Sequence, residues 1–133
     1  MNAARALPAT LLLYAAASLL HFAHNAQFLA DYPNLPPSWT RVEVYLTWCV
    51  LAAIGVLGYV LYRRGSIRPG LALIAIYAVS GFAGLVHYTR APLGHHTAAM
   101  NVTIWGEALA AVLLLVNVVW VATYRSRVRR WVV

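Results

Sequence analysis

The sequence predicts an all-α integral membrane protein in which four transmembrane helices form one bundle. Three observations lead there: 62% of the residues are hydrophobic, only 10% are charged, and the apolar residues fall into four long runs. An ordinary soluble domain carries about 25% charged residues. A helix that spans a bilayer needs about 20 mostly apolar residues. With 133 residues, the chain accommodates four such helices as a single domain, residues 1–133.

The predicted spans are bounded by residues that break helices. They run from about residue 9 to 30, 44 to 62, 70 to 88 and 97 to 124. A proline-rich connection at 32–39 ends the first, and a basic turn with Pro and Gly at 63–70 ends the second. Another Pro and Gly turn at 89–94 ends the third, and arginines follow the fourth. Proline and glycine punctuate helices in this way because they disfavour the helical backbone.

The arginines predict the orientation of the bundle. All ten basic residues are Arg, and one end of the predicted bundle carries most of them: Arg5, Arg63, Arg64, Arg68, Arg125, Arg127, Arg129 and Arg130. The other end holds only Arg41 and Arg90, offset by Asp31 and Glu43. Because positive residues favour the cytoplasmic side, both termini are expected in the cytoplasm. Abundant Ala and Leu with no Lys indicate a bacterial inner membrane, so the other end would face the periplasm.

The net charge of +7 also bears on partners. In a soluble protein it would favour nucleic acid, but here the arginines flank apolar spans, so topology and anionic lipid explain them. The expected partner is the lipid bilayer, with a larger membrane complex or a homo-oligomer as alternatives, and no nucleic acid.

An alternative interpretation concerns the first span. Arg5 followed by an apolar run to Leu20 is also typical of a signal peptide. No clean cleavage site follows, so an intact first span is the preferred interpretation. Cleavage would remove His21 and His24 or leave them near a new N-terminus.

The histidines are the main functional signal. The sequence contains five, and alternating chain direction places all of them at the end that is poor in arginine: His21, His24, His87, His95 and His96. Ionisable side chains within a membrane are rare and usually mark a functional site. His95 falls on a predicted loop, where an interfacial role is the simpler interpretation.

Helical spacing predicts which polar side chains face one another. In the fourth span, His96, Met100, Thr103 and Glu107 share one face, and in the first span Ser18, His21 and Asn25 do so. Polar groups in a bilayer turn toward the bundle interior. The sequence therefore predicts a pocket at one end of the bundle, with an apolar floor.

The leading hypothesis for this pocket is a transition-metal site, because histidine with carboxylate suits copper, iron or zinc. The candidate ligands are His21, His24, His87, His96 and Glu107. The candidate hydrogen-bonding neighbours of these ligands are Asn25, Tyr88 and Thr103. Such a site would serve metal handling or redox chemistry.

Three alternatives remain open. Axial histidines on facing helices of a four-helix bundle can hold haem b for electron transfer. A buried His–Glu pair without metal, with Glu107 as the acid or base, can act on a lipid-like molecule. A small bundle can also be an accessory subunit of a membrane complex. Whether the chain is an enzyme is left open.

One short motif carries a resemblance. Pro36-Pro37-Ser38-Trp39, ahead of the second span, resembles the Pro-Pro-x-Trp element of the sterol isomerase and sigma-2 receptor family. That family also has four spans and cytoplasmic termini. The resemblance covers this layout and four residues. The family's acidic residue deep in the second helix has no counterpart, since Glu43 lies at the start of that span, so no catalytic role is implied.

Overall fold

The computed structural model describes the backbone of residues 3–130 and the side chains of residues 6–124. Within that part the chain is helical and contains no strand. The α-helices are α1 (Ala3–Gln27), α2 (Arg41–Arg63), α3 (Ile67–Ser80), α4 (His87–Arg90) and α5 (Ala98–Arg130). Three short 3-10 turns lie between them, at Leu29–Asp31, Ala83–Val86 and Leu93–His95.

Four helical segments are long and apolar enough to cross a membrane. They are Ala6–Gln27, Arg41–Arg63, Ile67–Arg90 and Ala98–Tyr124. Large apolar side chains cover their outer faces, as shown by Leu12 and Val102, which are 70% and 69% exposed. An apolar exterior of this extent is stable only against lipid or another apolar surface. The prediction of an all-helical chain with four helices that are long and apolar enough to span a membrane is thus confirmed for the described residues.

The helices form a ring in which sequential neighbours are in contact. α1 packs against α2 and α5, and α3 packs against α2 and α5, so that α1 and α3 lie diagonally opposite. The Tyr14 and Tyr77 rings meet across this diagonal, with their centroids 4.6 Å apart. We call one end of the bundle the histidine end, where α1 finishes and α2 and α5 begin. The opposite end, which contains the α2–α3 turn, is the arginine end.

The buried side chains change from apolar to polar along the bundle axis. Leu7, Ile74 and Leu114 are fully buried in the half near the arginine end. Polar side chains replace them near the histidine end, where Ser18, His21 and Glu107 are buried. A second, smaller apolar cluster of Tyr32, Met100 and Ile104 covers these polar groups from the outside of the histidine end. The polar groups are therefore enclosed from both sides.

The third span is less regular than the sequence predicted. A single helix was expected from about residue 70 to 88, but α3 ends at Ser80 and the chain continues through the 3-10 turn into α4. Gly81 and Gly84 occupy this break, and glycine lowers helix stability by about 1 kcal/mol relative to alanine. The Ser80 hydroxyl also donates to the carbonyl of Tyr77 at 2.6 Å. Because of the break, the His87 side chain points in a different direction from the one that a continuous helix would give it.

The first span also ends earlier than its predicted limit. α1 stops at Gln27, and the chain tightens into the 3-10 turn Leu29–Asp31. The amide of Asp31 bonds to the carbonyl of Phe28 at 2.9 Å, which is the spacing of a 3-10 turn. This tight turn brings Tyr32 over the histidine end.

Candidate functional site

The centre of the histidine end is a buried pair between α1 and α5. The Nε2 atom of His21 lies 3.8 Å from Oε2 of Glu107, and these residues are only 2% and 1% exposed. The other ring nitrogen of His21, Nδ1, contacts the Thr103 hydroxyl oxygen at 3.5 Å. That hydroxyl donates its hydrogen to the Met100 carbonyl at 3.0 Å, so it can only accept from His21. In a neutral His21 the Nε2 lone pair then faces the carboxyl group of Glu107.

Helical periodicity explains why these side chains meet. Met100, Thr103 and Glu107 are all buried, as residues on one inward face of α5 should be. His96 was predicted on the same face, but α5 begins at Ala98 and His96 has an extended backbone before it, so its burial comes from the path of the loop. On α1, Ser18, His21 and Asn25 are buried in the same way. α1 and α5 pack closely along their length, so the two polar stripes face each other.

His87 approaches the pair from α4 and is 7% exposed. Its ring centroid lies 5.7 Å from that of His21 and 6.3 Å from that of His96. The Tyr32 ring packs against its other face with a centroid distance of 4.7 Å. The Nε2 atom contacts the Asn25 amide nitrogen at 3.4 Å. His87 is thus held by aromatic packing and by one long hydrogen bond.

Several buried polar atoms at this end have no hydrogen-bond partner within the described part of the chain. They include Ser18 Oγ, Asn25 Oδ1, His87 Nδ1, His96 Nε2 and both carboxyl oxygens of Glu107. An unpaired buried polar group costs about 1–3 kcal/mol. Their concentration at one end marks where a bound molecule or ion would be stabilised most.

The remaining predicted site residues lie further from the pair. His24 is half-buried and its Nδ1 contacts the Tyr32 hydroxyl at 3.0 Å. The Nδ1 atom of His96 bonds to the carbonyl of Pro92 at 3.2 Å. Tyr88 donates its hydroxyl hydrogen to Asn101 at 2.8 Å, and its ring packs against that of His96. His95 is exposed.

As arranged, the histidine end does not form a closed metal site. Within the described residues, no group of three or more His, Cys, Asp or Glu side chains lies close enough together to hold a metal ion. The structure brings together His21, Glu107 and, at a longer distance, His87. It directs His24 toward Tyr32 and His96 toward the backbone of Pro92.

A cavity of about 370 Å³ lies beside the pair, between α1, α2 and the turn that precedes α4. Its lining combines polar and apolar side chains: His21, Phe22, Asn25, Trp39, Glu43, Val44, Thr47, Ala83, Gly84 and His87. A Cβ atom at Gly84 would lie 3.2 Å from His21 Nε2 and 3.5 Å from Glu107 Oε2. The lack of a side chain at Gly84 therefore lets this turn approach the pair closely, and His21 is the member of the pair that lines the cavity. A pocket of this volume is in the range of small-molecule sites.

Sequence reasoning missed the aromatic part of this cavity. Phe22 and Trp39 line it, and Tyr32 covers His87. Tyr32 and Trp39 belong to the proline-rich connection, whose path cannot be read from periodicity. For Phe22 the sequence did contain a signal, because Phe22 directly follows the predicted site residue His21. The two Tyr32 contacts connect His24 and His87 through one loop residue.

Tyr32 lies between the spanning segments and is 3% exposed. Burial raises the pKa of its phenol from 10.0 to about 12, because the charged phenolate would lose its hydration. Tyr32 therefore stays neutral over the physiological range and keeps its hydroxyl for His24.

No family model matches this chain, and neither a curated protein nor a solved structure matches it. The fold and the site define a helical bundle with four candidate membrane spans and a buried polar pocket at one end.

Proposed function

We propose that this chain is a multi-pass protein of the bacterial inner membrane that binds a small, mostly apolar molecule at its histidine end. The observation that carries the proposal is the 370 Å³ cavity, which lies directly beside the buried His21–Glu107 pair. Binding pockets typically combine apolar walls with a few polar groups that fix the orientation of the ligand. Here Phe22, Val44 and Ala83 supply apolar wall, and Asn25 and His87 supply polar groups.

The His21–Glu107 pair gives the pocket an acid–base group. One proton shared between these two side chains can be given to, or taken from, a molecule in the cavity through His21, which lines it. In this proposal Glu107 is the acid or base, and His21 is the residue that faces the bound molecule. Thr103 orients the His21 ring through Nδ1.

The orientation forms part of the proposal. Arg63, Arg64 and Arg68 are exposed at the α2–α3 turn, which lies at the arginine end. Positive residues favour the cytoplasmic side, so both termini are placed in the cytoplasm and the histidine end in the periplasm.

The test is to identify what the purified protein carries. The wild-type chain would be purified in detergent, extracted with organic solvent and analysed by mass spectrometry beside His87→Ala and His95→Ala. We expect one molecule in near-stoichiometric amount with wild type and with His95→Ala, because His95 is exposed. The amount should fall at least about tenfold with His87→Ala, which leaves buried groups unpaired. Equal amounts in all three proteins, or only bulk lipid, would contradict the proposal.

The acid–base role needs a separate measurement. The recovered molecule would be returned to wild type and to Glu107→Gln in deuterated water, and deuterium bound to carbon would be measured by mass spectrometry. Glutamine keeps the shape of the side chain but does not exchange a proton in this way. Equal incorporation in the two proteins would rule out Glu107 as the acid or base.

A transition-metal site is the second candidate, favoured by the distance within the buried pair. Bonds from zinc to histidine nitrogen and carboxylate oxygen are about 2.0–2.2 Å long. A single ion can therefore contact both His21 Nε2 and Glu107 Oε2 across their 3.8 Å separation. Both carboxyl oxygens of Glu107 and Nδ1 of His87 are unpaired, so a shift of the His87 side chain would supply a third ligand for copper, iron or zinc. His24 and His96 would need larger movements.

Elemental analysis separates the two candidates. The protein would be purified with a tag that lacks histidine, and metals and the absorption spectrum would be measured on one sample. The metal candidate requires near-stoichiometric copper, iron or zinc in wild type and His95→Ala, and its loss in His21→Ala. Protein that stays metal-free after incubation with each ion would remove this candidate. A Soret band would instead indicate haem.

A further inference from the structure

A cluster of unpaired oxygen atoms lies in the bundle interior beside the His21–Glu107 pair. It comprises the hydroxyl oxygens of Ser18 and Tyr77 and both carboxyl oxygens of Glu107, none of which has a hydrogen-bond partner within the described residues. Ser18 is close enough to interact with the carboxyl group of Glu107 and with the phenol of Tyr77. These three residues are at most 2% exposed, so solvent does not satisfy their oxygens. We call these atoms the oxygen cluster.

The oxygen cluster lies at the break in the third span. A Cβ atom at Gly84 would lie 3.5 Å from Oε2 of Glu107, and one at Gly81 would lie 2.7 Å from the Tyr14 ring. Ser18 follows Tyr14 by one helical turn on the same face of α1. The chain between the two glycines therefore passes directly beside Ser18 and Glu107.

The break also supplies partial negative charge. α3 ends at Ser80, about one turn after Tyr77. The C-terminal end of a helix carries a partial negative charge on its last carbonyl groups. Discontinuous helices bring such ends into the interior of membrane proteins, where they help to coordinate cations such as Na⁺. The end of α3 therefore favours a positive charge at the oxygen cluster.

The carboxyl group of Glu107 needs a positive partner when it is ionised. Ser18 lies nine residues before Gln27 and Glu107 lies nine residues after Ala98, so both are about 14 Å from the histidine end of their spans. An unpaired charge at this depth in a bilayer is costly. Within the described residues, the one ion-pair contact of Glu107 is with His21. A neutral His21 turns a lone pair toward the carboxyl group, and a lone pair does not balance its charge.

The ligand type and the charge of the oxygen cluster indicate which cation fits. The cluster offers only oxygen atoms, which hard cations prefer, whereas copper and zinc favour nitrogen or sulfur. It contains one carboxyl group, which balances one positive charge. A divalent cation would leave a net positive charge in a site that excludes water, and this is costly. A monovalent cation of the alkali metals therefore matches the cluster.

We propose that the oxygen cluster binds one alkali-metal cation, Na⁺ or K⁺, through the Glu107 carboxylate and the hydroxyl oxygens of Ser18 and Tyr77, beside the C-terminal end of α3. The inference goes beyond the proposed function, because the cation site does not require a small molecule in the cavity. It also differs from the transition-metal candidate, which uses the nitrogen of His21 rather than the oxygens of Ser18 and Tyr77.

The test measures how the stability of the full-length protein in detergent depends on the cation. Thermal unfolding midpoints would be recorded in NaCl, KCl and choline chloride at equal ionic strength, with EDTA present to remove multivalent ions. A cation that binds only the folded protein raises the midpoint in a saturable way. We expect this rise with Na⁺ or K⁺ and not with choline, which is too large for the cluster. Equal midpoints in the three salts would overturn the inference.

Matched variants show whether the cation binds at the oxygen cluster. Glu107→Gln keeps the shape of the side chain and removes its charge, so the apparent dissociation constant of the cation should rise at least about tenfold. Asp31→Asn makes the same change at an exposed carboxyl group and should leave the constant unchanged. An equal cation dependence of these two variants would overturn the inference.

A second pair of variants guards against a Glu107→Gln protein that fails to fold. Ser18→Ala removes one hydroxyl ligand and keeps a residue that favours the helix, so it should weaken the binding of the cation about tenfold. Ser38→Ala removes an exposed hydroxyl and should have no effect. His21→Ala should keep the dependence on Na⁺ or K⁺. Loss of that dependence in His21→Ala but not in Ser18→Ala would place the cation between His21 and Glu107 and overturn the inference.

Discussion

Individual residues at the histidine end derive their properties from their surroundings rather than from their type. His21 and His95 have the same side chain, yet His21 is 2% exposed beside a carboxyl group and His95 lies at the surface. Their contrast makes His95 a suitable control for every histidine variant. Glu107 is comparable, since burial makes the charged form of its carboxyl group more costly than that of any other carboxyl group in the described chain.

Tyr32 allows a prediction of pH dependence. The pKa of its phenol is raised from 10.0 to about 12 in the folded protein, so folding favours the neutral form. The associated stability is present below pH 10 and is lost as the pH rises toward about 12, because only the unfolded chain releases its proton in that interval. The unfolding midpoint of wild type should therefore fall more steeply above pH 10 than that of Tyr32→Phe. Thermal scans in detergent at pH 8–11 would measure both proteins.

The phenylalanine variant also removes the contact of 3.0 Å between the Tyr32 hydroxyl and His24. At neutral pH we expect a loss of about 1 kcal/mol in stability from that single hydrogen bond. Parallel curves for the two proteins between pH 8 and 11 would show that Tyr32 is not buried in the folded state.

At the scale of single elements, the start of α2 shows how a local sequence pattern stabilises a helix. α2 begins with a capping box in which the Thr40 hydroxyl accepts from the Glu43 amide and the Glu43 carboxyl accepts from the Thr40 amide. Glu43 therefore stabilises the first turn of α2, although its side chain also lines the cavity.

Removing the Thr40 hydroxyl from this cap should destabilise the protein. We expect Thr40→Ala to cost about 1 kcal/mol, because the Glu43 amide at the start of α2 loses the Thr40 hydroxyl as its acceptor. Thr40→Ser keeps the hydroxyl and should restore most of the stability. Unfolding midpoints in detergent would compare the three proteins. A Thr40→Ser variant as unstable as Thr40→Ala would show that the hydroxyl does not act as a cap.

The contact between α2 and α3 depends on glycine. A Cβ atom at Gly70 would lie 2.5 Å from the Tyr62 amide nitrogen and 2.8 Å from the Gly58 carbonyl oxygen. Both atoms are backbone and have little freedom to move. At Gly106 on α5, by contrast, no heavy atom lies within 4 Å of the added Cβ.

These two glycines form a matched pair for a stability measurement. Gly70→Ala should destabilise the protein by about 1–3 kcal/mol, since the helices must separate to admit the methyl group. Gly106→Ala should instead stabilise it by about 1 kcal/mol, since alanine favours the helix and meets no neighbour. Equal effects of the two substitutions in thermal unfolding would contradict the close contact of α2 and α3.

On the scale of the whole molecule, polarity is distributed unevenly over the surface. The outer faces of the four spans are apolar, the arginines of the α2–α3 turn lie at one end, and the polar pocket lies at the other. The direction proposed for the bundle in a membrane rests on this asymmetry.

Cysteine labelling tests that direction. Ser38 lies in the proline-rich loop at the histidine end, Ser66 lies in the turn at the arginine end, and both are exposed. Each would be replaced by Cys in a Cys49→Ala background, because Cys49 is free and exposed. In intact cells, a membrane-impermeant maleimide should label Ser38→Cys at once and Ser66→Cys only after permeabilisation. The reverse pattern would place the histidine end in the cytoplasm.

The sequence by itself determined the helical class, the number of spans and the polar stripes. Apolar runs of spanning length require helices in lipid, because the backbone must satisfy its own hydrogen bonds there. The spacing of His21 and Asn25 on α1, and of Thr103 and Glu107 on α5, follows from 3.6 residues per turn. These features are local in the chain, so periodicity was sufficient to predict them.

The tertiary structure decided which of the polar residues meet. His24 lies only three residues from His21, yet it contacts Tyr32, and His87 leaves the chain from a short helix that follows a break at Gly81. The cavity depends on the path of a proline-rich loop that brings Trp39 beside Phe22. Loop paths and helix breaks depend on contacts between residues distant in sequence, and no periodic pattern encodes such contacts.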